Sequence, residues 1–512
     1  MSLSVVEPLT VLIRRVAVVH SPSPASKPRL RGYLEPLAVG SYLVALTFVL
    51  LRCAALRRYW FDELFTLHLA RSPQSLWSNL ASGLDNNPPL SYLLTALSVG
   101  IFGEVEWAVR LPAVLGAVLS GLCLYLFVRH RRGPAEAFLA LSIVTISPAV
   151  WAYFLEARPY GLAVGFTASA LLAWQRGWKL TFAASCVLGL SSHYFFVVPM
   201  VAFGLAELIR TAQNRKLDRG MAAGFVAVIV TLAALYPLWG YGPQAYAAGF
   251  WSKVKFTRPA VESVFQDFTR KEMLPPLAVA LIVGIVAGRR RDEAAPYPLA
   301  EAVALAALAA GPIIGVAVGA KVTGAFYYRY VLPSVLGFGA VFAFAVSRAA
   351  GGNRAAVLLA AVGFVWCGLV GNAGMATGYY RAEAANLRET ADFLRANADG
   401  TTIVESPFEF ARWWHYEGQS LPVAFLADVD LAMKHTKSDT VDRGLYALAR
   451  ISDVPLLTPD EAAAKLRAGE RLHFYGPDGG WRREELQKRG VVFTEIAKRD
   501  AGGTLYRLSL PD

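Results

Sequence analysis

The sequence predicts a polytopic α-helical membrane protein that carries a small α/β domain at its C-terminal end. Three observations lead there. Hydrophobic residues make up 55% of the 512, and the mean hydropathy is +0.41, above the usual range for a soluble domain. From about Tyr33 to Gly378 the apolar residues fall in blocks separated by short charged or Pro/Gly stretches. Each block approaches the roughly 20 residues that a helix needs to cross a bilayer core. Beyond Gly378 the blocks stop, and helical and alternating patterns follow one another as in an α/β fold. The chain therefore divides into a segment at 1–32, a transmembrane module at 33–378 and a domain at 379–512.

The blocks read as spans are 37–56, 111–128, 135–153, 160–174, 180–191, 195–208, 221–239, 277–288, 299–318, 331–346 and 355–375, about eleven in all. Several are short or interrupted by Gly or Pro, which is tolerated where protein or a cavity covers the backbone. The apolar stretch 88–102 is treated differently. About 15 helical residues reach only about 22 Å, short of the roughly 30 Å core, so it is expected to lie in the outer leaflet as a re-entrant helix. Its exclusion decides which loops share a side. The basic groups at Arg14, Arg15, Lys27, Arg29 and Arg31, at 129–132, at Arg176 and Lys179, at 210–219, at 289–291 and at Arg348 and Arg354 then all face the cytoplasm, as the positive-inside rule requires. Only Arg57 and Arg58 break the pattern. The N-terminus is expected inside and the C-terminal domain outside, in a cell (inner or plasma) membrane.

The formal charge of +12 follows from those basic span ends. Nucleic acid is not expected as a partner, because no basic patch interleaves with aromatics. Cys53, Cys123, Cys186 and Cys367 all lie in apolar blocks without CxxC spacing. They read as small buried hydrophobes, with neither a zinc site nor a disulfide framework. The N-terminus lacks the basic start, apolar stretch and small-residue cleavage site of a cleaved signal peptide, so the first span is expected to insert the chain.

The unusual residues gather on the outer side. The first external loop holds Tyr59-Trp60-Phe61-Asp62-Glu63, an amphipathic run, and then Asp85-Asn86-Asn87-Pro88-Pro89. Asp62 has two readings: the N-cap of the helix that follows, or a functional carboxylate at the bilayer surface. The Pro-Pro pair also fits a helix start. At the next outer boundary, Glu156 and Arg158 stand before Pro159-Tyr160, either paired with each other or used separately. His193-Tyr194 marks a third boundary and Tyr327-Tyr328-Arg329-Tyr330 a fourth. Four such boundaries together point to one polar cavity. An aspartate can serve as general base toward a hydroxyl, arginines bind phosphate oxygens bidentately, and aromatics stack on sugar rings. That set suits a donor with an apolar tail, a phosphate leaving group and a polar transferable group. The chain has no Gly-rich phosphate loop for a cytosolic nucleotide donor.

The run from Phe61-Asp62-Glu63 through Asn87-Pro88-Pro89-Leu90 to Phe102-Gly103-Glu104-Val105-Glu106-Trp107-Ala108-Val109-Arg110-Leu111-Pro112, with Glu156-Ala157-Arg158-Pro159-Tyr160 and His193-Tyr194-Phe195 in order, resembles the GT-C membrane glycosyltransferases. Within them it is most similar to the bacterial dolichyl-phosphate-mannose mannosyltransferase-like family, relatives of the aminoarabinose transferase of lipid A. The resemblance covers about 32–380 and implies a GT-C fold with amphipathic and re-entrant helices in the first external loop. It implies an inverting sugar transfer from a polyprenyl-phosphate donor to a glycan, lipid or protein acceptor on the extracytoplasmic face. Asp62 matches the family's presumed base, and Glu63 its neighbour, which helps bind acceptor or holds the loop. Arg158 and Arg329 would meet the donor phosphate, within a substrate site that also takes in Asp85, Asn87, Glu156, Tyr160, His193, Tyr194 and Tyr330. Asn87 stands where many relatives carry His or Lys, with Asp85 beside it to compensate, and Arg158 stands near an aspartate of the aminoarabinose branch. No cofactor is implied with certainty, and a divalent cation is left open. The loop 240–276, with Lys253, Lys255 and Arg258 among aromatics, lies where the family has a mobile donor-site loop.

In the C-terminal region helices are expected at 381–396, 438–450, 459–468 and 482–488, with another between the first two strands. Strands are expected at 401–405, 423–426, 471–475, 491–497 and 504–508. Glu409, Trp413, Trp414 and His415 suit a packed helix face or contact with an acceptor glycan. Two other functions compete with sugar transfer. A lipid-sugar transporter or flippase calls for midplane charges and inverted repeats, which the sequence lacks. A glycan polymerase or ligase of another fold does not need the Asp62-Glu63 pair.

Overall fold

A computed structural model describes residues 31–239, 249–250, 252–268, 278, 282, 286, 297–499 and 502–511. The chain forms two compact units, Met1–Val44 and Ala45–Asp512. Of the first, only the beginning of a long helix, α1 (Arg31–Leu56), is described.

The first loop folds into α2 (Phe61–Arg71), a 3-10 turn, α3 (Leu76–Ala81) and α4 (Leu90–Phe102), whose N-cap is Pro89. The Pro-Pro pair therefore starts a helix, as its fixed φ favours. Thirteen residues make α4 about 20 Å long at about 1.5 Å per residue, and it lies against α2 and the next helix, α5 (Glu106–Arg131). α6 (Pro134–Ile146) and α7 (Pro148–Phe154) follow, then α8 (Tyr160–Arg176), α9 (Lys179–Ser192), α10 (Val197–Asn214) and α11 (Arg219–Leu235). After α12 (Arg258–Phe268) come α13 (Leu299–Ala309), α14 (Gly311–Val318) and α15 (Ser334–Ala349). The last helix of the bundle, α16 (Arg354–Asn397), has 44 residues.

Among the described residues five helices are long and apolar enough to cross a membrane, or seven if each of two bent pairs is one span. The chain is a multi-pass membrane protein. Three expectations change. The span expected at 135–153 breaks by 63° between α6 and α7, and the one at 299–318 breaks by 54° between α13 and α14. Pro148 and Pro312 sit at the breaks in first-turn positions, where a missing N–H and a fixed φ end one helix and begin another. The helices expected separately at 355–375 and 381–396 are one, so the boundary drawn at 378–379 falls inside α16. The composition changes there, but no proline interrupts the backbone. The expected span 277–288 lies largely outside the described residues.

α8 and α9, with 17 and 14 residues, are shorter than a bilayer requires, and neighbouring helices cover them. α5 and α8 approach closely because Gly116 faces the backbone of Gly161, while Gly161 and Gly165 face the backbones of Ala113 and Gly116. A Cβ at any of these would collide, which is the small-residue packing of membrane helices. This contact seats Tyr160 at the head of α8.

The C-terminal sheet has the order β3-β2-β1-β4-β6-β5: β1 (Thr401–Val404), β2 (Val423–Leu426), β3 (Leu456–Leu457), β4 (Leu472–Gly476), β5 (Val492–Arg499) and β6 (Gly503–Ser509). The first four are parallel, and β6 and β5 add antiparallel edges. The two-residue β3 was not anticipated, being too short to show alternation. Helices α17 (Pro407–Glu417), α18 (Val429–Thr436), α19 (Thr440–Ala449), α20 (Pro459–Arg467) and α21 (Trp481–Lys488) connect the strands. Trp413 of α17 is buried in a core shared with Phe61, Leu64, Leu67 and Leu80 of the first loop. Trp414 stacks on His68, and His415 meets Tyr59 edge-on. The aromatic face of α17 is thus a packing surface against the first loop.

Candidate active site

Glu63 is the centre of the scaffold beneath the site. α2 begins at Phe61 with Trp60 as N-cap, and the Glu63 carboxylate reaches back to accept the Trp60 N–H at 3.2 Å. Asp62 is the second residue of α2 and does not cap it. Glu63 also accepts the Ala157 N–H at 2.7 Å and binds Arg110 bidentately, at 2.7 Å to Nε and 2.6 Å to Nη2. Both side chains are wholly buried. Arg110 donates further to the carbonyls of Ala54, Arg57 and Arg58 at the end of α1. Burial raises the Glu63 pKa, but Arg110 outweighs it and holds the carboxyl below its usual value. One ion pair thus ties the end of α1 and the start of α2 to the loop before α8. The neighbours of its anchor points are Asp62 and Arg158.

Arg57 and Arg58, the exceptions to the charge pattern, are structural. Arg57 donates to the carbonyls of Ala152 and Leu155 and pairs with Glu156 at 3.0 Å, and Arg58 stands 3.6 Å from Glu106. Glu156 and Arg158 are therefore not paired with each other. Burial pushes the Glu156 carboxyl up against the pull of Arg57.

Above this scaffold lies a cavity of about 300 Å³. Asp62, Asp85, Asn87, Arg158, Tyr160, His193, Tyr194, Arg329 and Tyr330 line it together, so four separate boundaries converge. Arg158 Nη1 donates to Asp85 Oδ2 at 2.7 Å, and Arg329 Nη2 to Asp62 Oδ2 at 3.1 Å. Asn87 donates to Asp85 Oδ1 at 3.1 Å. Burial raises the Asp85 carboxyl, yet the Arg158 guanidinium prevails and lowers it. The rings of Trp60, Tyr160 and Tyr327 surround the Arg329 guanidinium at 5.7, 5.4 and 5.3 Å, a set of cation–π contacts. Glu63 and Glu156 do not line the cavity. Both are engaged beneath it, Glu63 in keeping with the reading that it holds the loop. The guanidiniums of Arg110, wholly buried, and of Arg57, partly buried, hold them there.

His193 lies among Tyr160, Phe195 and Tyr330. Its Nδ1 accepts the Phe195 N–H at 3.1 Å, so a neutral ring carries its proton on Nε2. Burial, with Arg158 and Arg329 nearby, pushes its pKa down to about 3. The folded protein binds that proton less readily than the unfolded chain, whose histidine titrates near ~6.5, so stability is expected to fall as pH drops from there toward 3. Replacing His193 with Asn, which can still accept the Phe195 N–H, should flatten the melting temperature over that window. An unchanged slope would show that other groups carry the acid sensitivity.

The sequence reading missed several walls. Leu232, Trp239, Val318 and Val322 make one side apolar, and Asp439, Thr440 and Arg443 of the C-terminal domain close another. The Gly249 carbonyl accepts from Ser438 Oγ at 2.8 Å and the Asp439 N–H at 3.1 Å, which joins that domain to the loop carrying Phe250. Nothing in the local pattern of 438–443 signalled this. Of the expected donor-site loop, only 249–250 and 252–268 are described, and there Lys253, Lys255 and Arg258 are exposed and off the cavity while Phe250 lines it. Among the described residues, no group of three or more His, Cys, Asp or Glu is placed to hold a metal ion.

The helical bundle, the helices of its first loop and the α/β domain beside an arginine- and aspartate-lined cavity form a fold that solved structures share. Residues 86–241 match the family described as dolichyl-phosphate-mannose-protein mannosyltransferase, which bears out the resemblance carried by the motifs. The crystal structure of ArnT from Cupriavidus metallidurans in the apo state superposes with a TM-score of 0.61 at 12% identity, covering 92% of this chain and 98% of that one. The same protein bound to undecaprenyl phosphate gives 0.60 at 13% identity, with the same coverage. At such identity the likeness is one of fold. No curated protein matches the sequence.

Proposed function

We propose that the protein transfers a sugar, with inversion, from a polyprenyl-phosphate donor to a hydroxyl of a cell-envelope glycan, lipid or protein acceptor on the extracytoplasmic face. The observation that carries this reading is the meeting of Arg158, Arg329 and Asp62 in a cavity with one apolar wall. Guanidiniums suit a phosphate, the apolar wall suits a prenyl chain, and the carboxylate suits a hydroxyl proton. The fold shared with ArnT, solved with undecaprenyl phosphate bound, supports the donor class. The acceptor oxygen attacks the anomeric carbon on the face opposite the phosphate, and its proton passes to Asp62. The carbon–oxygen bond to phosphate breaks, and the prenyl phosphate leaves with its new charge held by Arg158 and Arg329.

Mass spectrometry of membrane lipids and envelope glycans, with and without the protein, tests this. Loss of the protein should let one polyprenyl-phosphate sugar accumulate while one glycan loses that sugar. Unchanged lipids and glycans would overturn the reading. Movement of a lipid-linked sugar across liposomes without any acceptor would replace it with a flippase.

A further inference from the structure

The two arginines of the cavity are each engaged by a carboxylate, and the two pairs are built differently. Asp85 is held from three sides: Arg158 at 2.7 Å, the Asn86 N–H at 2.7 Å and Asn87 Nδ2 at 3.1 Å. Arg158 is fixed in turn by the Asp62 carbonyl at 3.3 Å and Thr66 Oγ1 at 3.5 Å, and its side chain is only 7% exposed. The Asp62 carboxylate has one hydrogen-bond donor among the described residues, Arg329 at 3.1 Å, and is 22% exposed. Both guanidiniums retain a buried Nε without a partner. A buried donor left unmatched is costly, and an arriving phosphate is the kind of group that would match it.

We infer that the donor phosphate displaces Asp62 from Arg329 and so releases the base, whereas Asp85 stays in place as the positioning residue of Arg158. The inference rests on the donor reading above. A carboxylate oxygen that accepts from a guanidinium has its lone pair turned to that donor and away from an arriving hydroxyl. An acceptor that arrives first meets Asp62 in that state. Once phosphate takes Arg329, Asp62 Oδ2 is free to accept the proton of the acceptor hydroxyl. Binding is then ordered, donor before acceptor, and an unoccupied site does not deprotonate stray hydroxyls. No bond is made or broken in this step; one ion pair replaces another.

The two carboxylates should therefore act in opposite senses on phosphate binding. With the full chain in lipid nanodiscs, calorimetry with geranyl phosphate is expected to show about tenfold tighter binding for Asp62→Asn, since a competitor has gone, and about tenfold weaker binding for Asp85→Asn, since Arg158 loses its support. Tightening by both variants to the same degree would mean a general charge effect and would overturn the exchange. So would unchanged or weaker binding by Asp62→Asn. If Asp85→Asn does not remain folded, Asn87→Ala, which changes no charge but removes one support of Asp85, takes its place with weaker binding expected and unchanged binding counting against the proposal. Failure of the parent protein to bind geranyl phosphate at all would instead remove the donor reading itself. Inorganic phosphate, run alongside, separates recognition of the headgroup from that of the prenyl chain.

Discussion

Replacing Asp62 with Asn is expected to slow sugar transfer by about 10²- to 10⁴-fold, the usual loss when a positioned general base is removed, and to leave the protein folded. The amide has the size of the carboxylate and can still accept from Arg329, now 3.1 Å away. The helix start does not depend on Asp62, because Glu63 satisfies the Trp60 N–H. What disappears is the capacity to take a proton from the acceptor. Turnover of a lipid-linked donor by nanodisc-embedded protein, measured beside a melting curve, separates the two contributions. Transfer at the parent rate would exclude Asp62 as base, and a lower melting temperature matching the loss of turnover would make its role structural.

Arg110→Met is expected to destabilise the protein by about 3–5 kcal/mol, the range for breaking a buried ion pair by removing one partner. Glu63 would remain as a charge in a site with no solvent contact, since both side chains are 0% exposed. The carbonyls of Ala54, Arg57 and Arg58 would lose their shared donor as well. Adding Glu63→Gln should recover part of the loss, because a neutral amide is cheaper to bury unpaired than a carboxylate. Unfolding in detergent by heat or denaturant checks both variants. An Arg110→Met protein that melts with the parent would show that the three anchored segments hold together without this pair.

The site was legible in the sequence to the extent that it violated local expectation. Asp62, Arg158, His193 and Arg329 each stood where a span boundary should carry no such group, and all four line one cavity. Arg110 carried the same signal, an arginine in an apolar run, yet its motif alone did not show that it would be buried beneath the site. Which of its readings Glu63 would follow, and that Glu156 would pair with Arg57, depended on partners that the sequence does not reveal. The parallel strands β1, β2 and β4 were readable from alternation and buried runs, whereas β3, with two residues, was too short to be seen. The breaks at Pro148 and Pro312 had visible causes, but a proline in an apolar block specifies neither a bend nor its angle.

The sequence by itself determined the membrane setting, the α/β domain, the helix started by Pro88 and Pro89 and the kinds of group available for chemistry. These depend on hydropathy, periodicity and backbone constraint, which act over a few turns. The tertiary structure alone decided which charge meets which. It placed Arg329 on Asp62 across 267 positions of chain, turned Glu63 inward to Arg110, and brought Asp439 and Arg443 beside the cavity. An ion pair is selected by the distance between two groups in space, and the low dielectric of a buried site makes that selection strong. Separation along the chain carries no record of it.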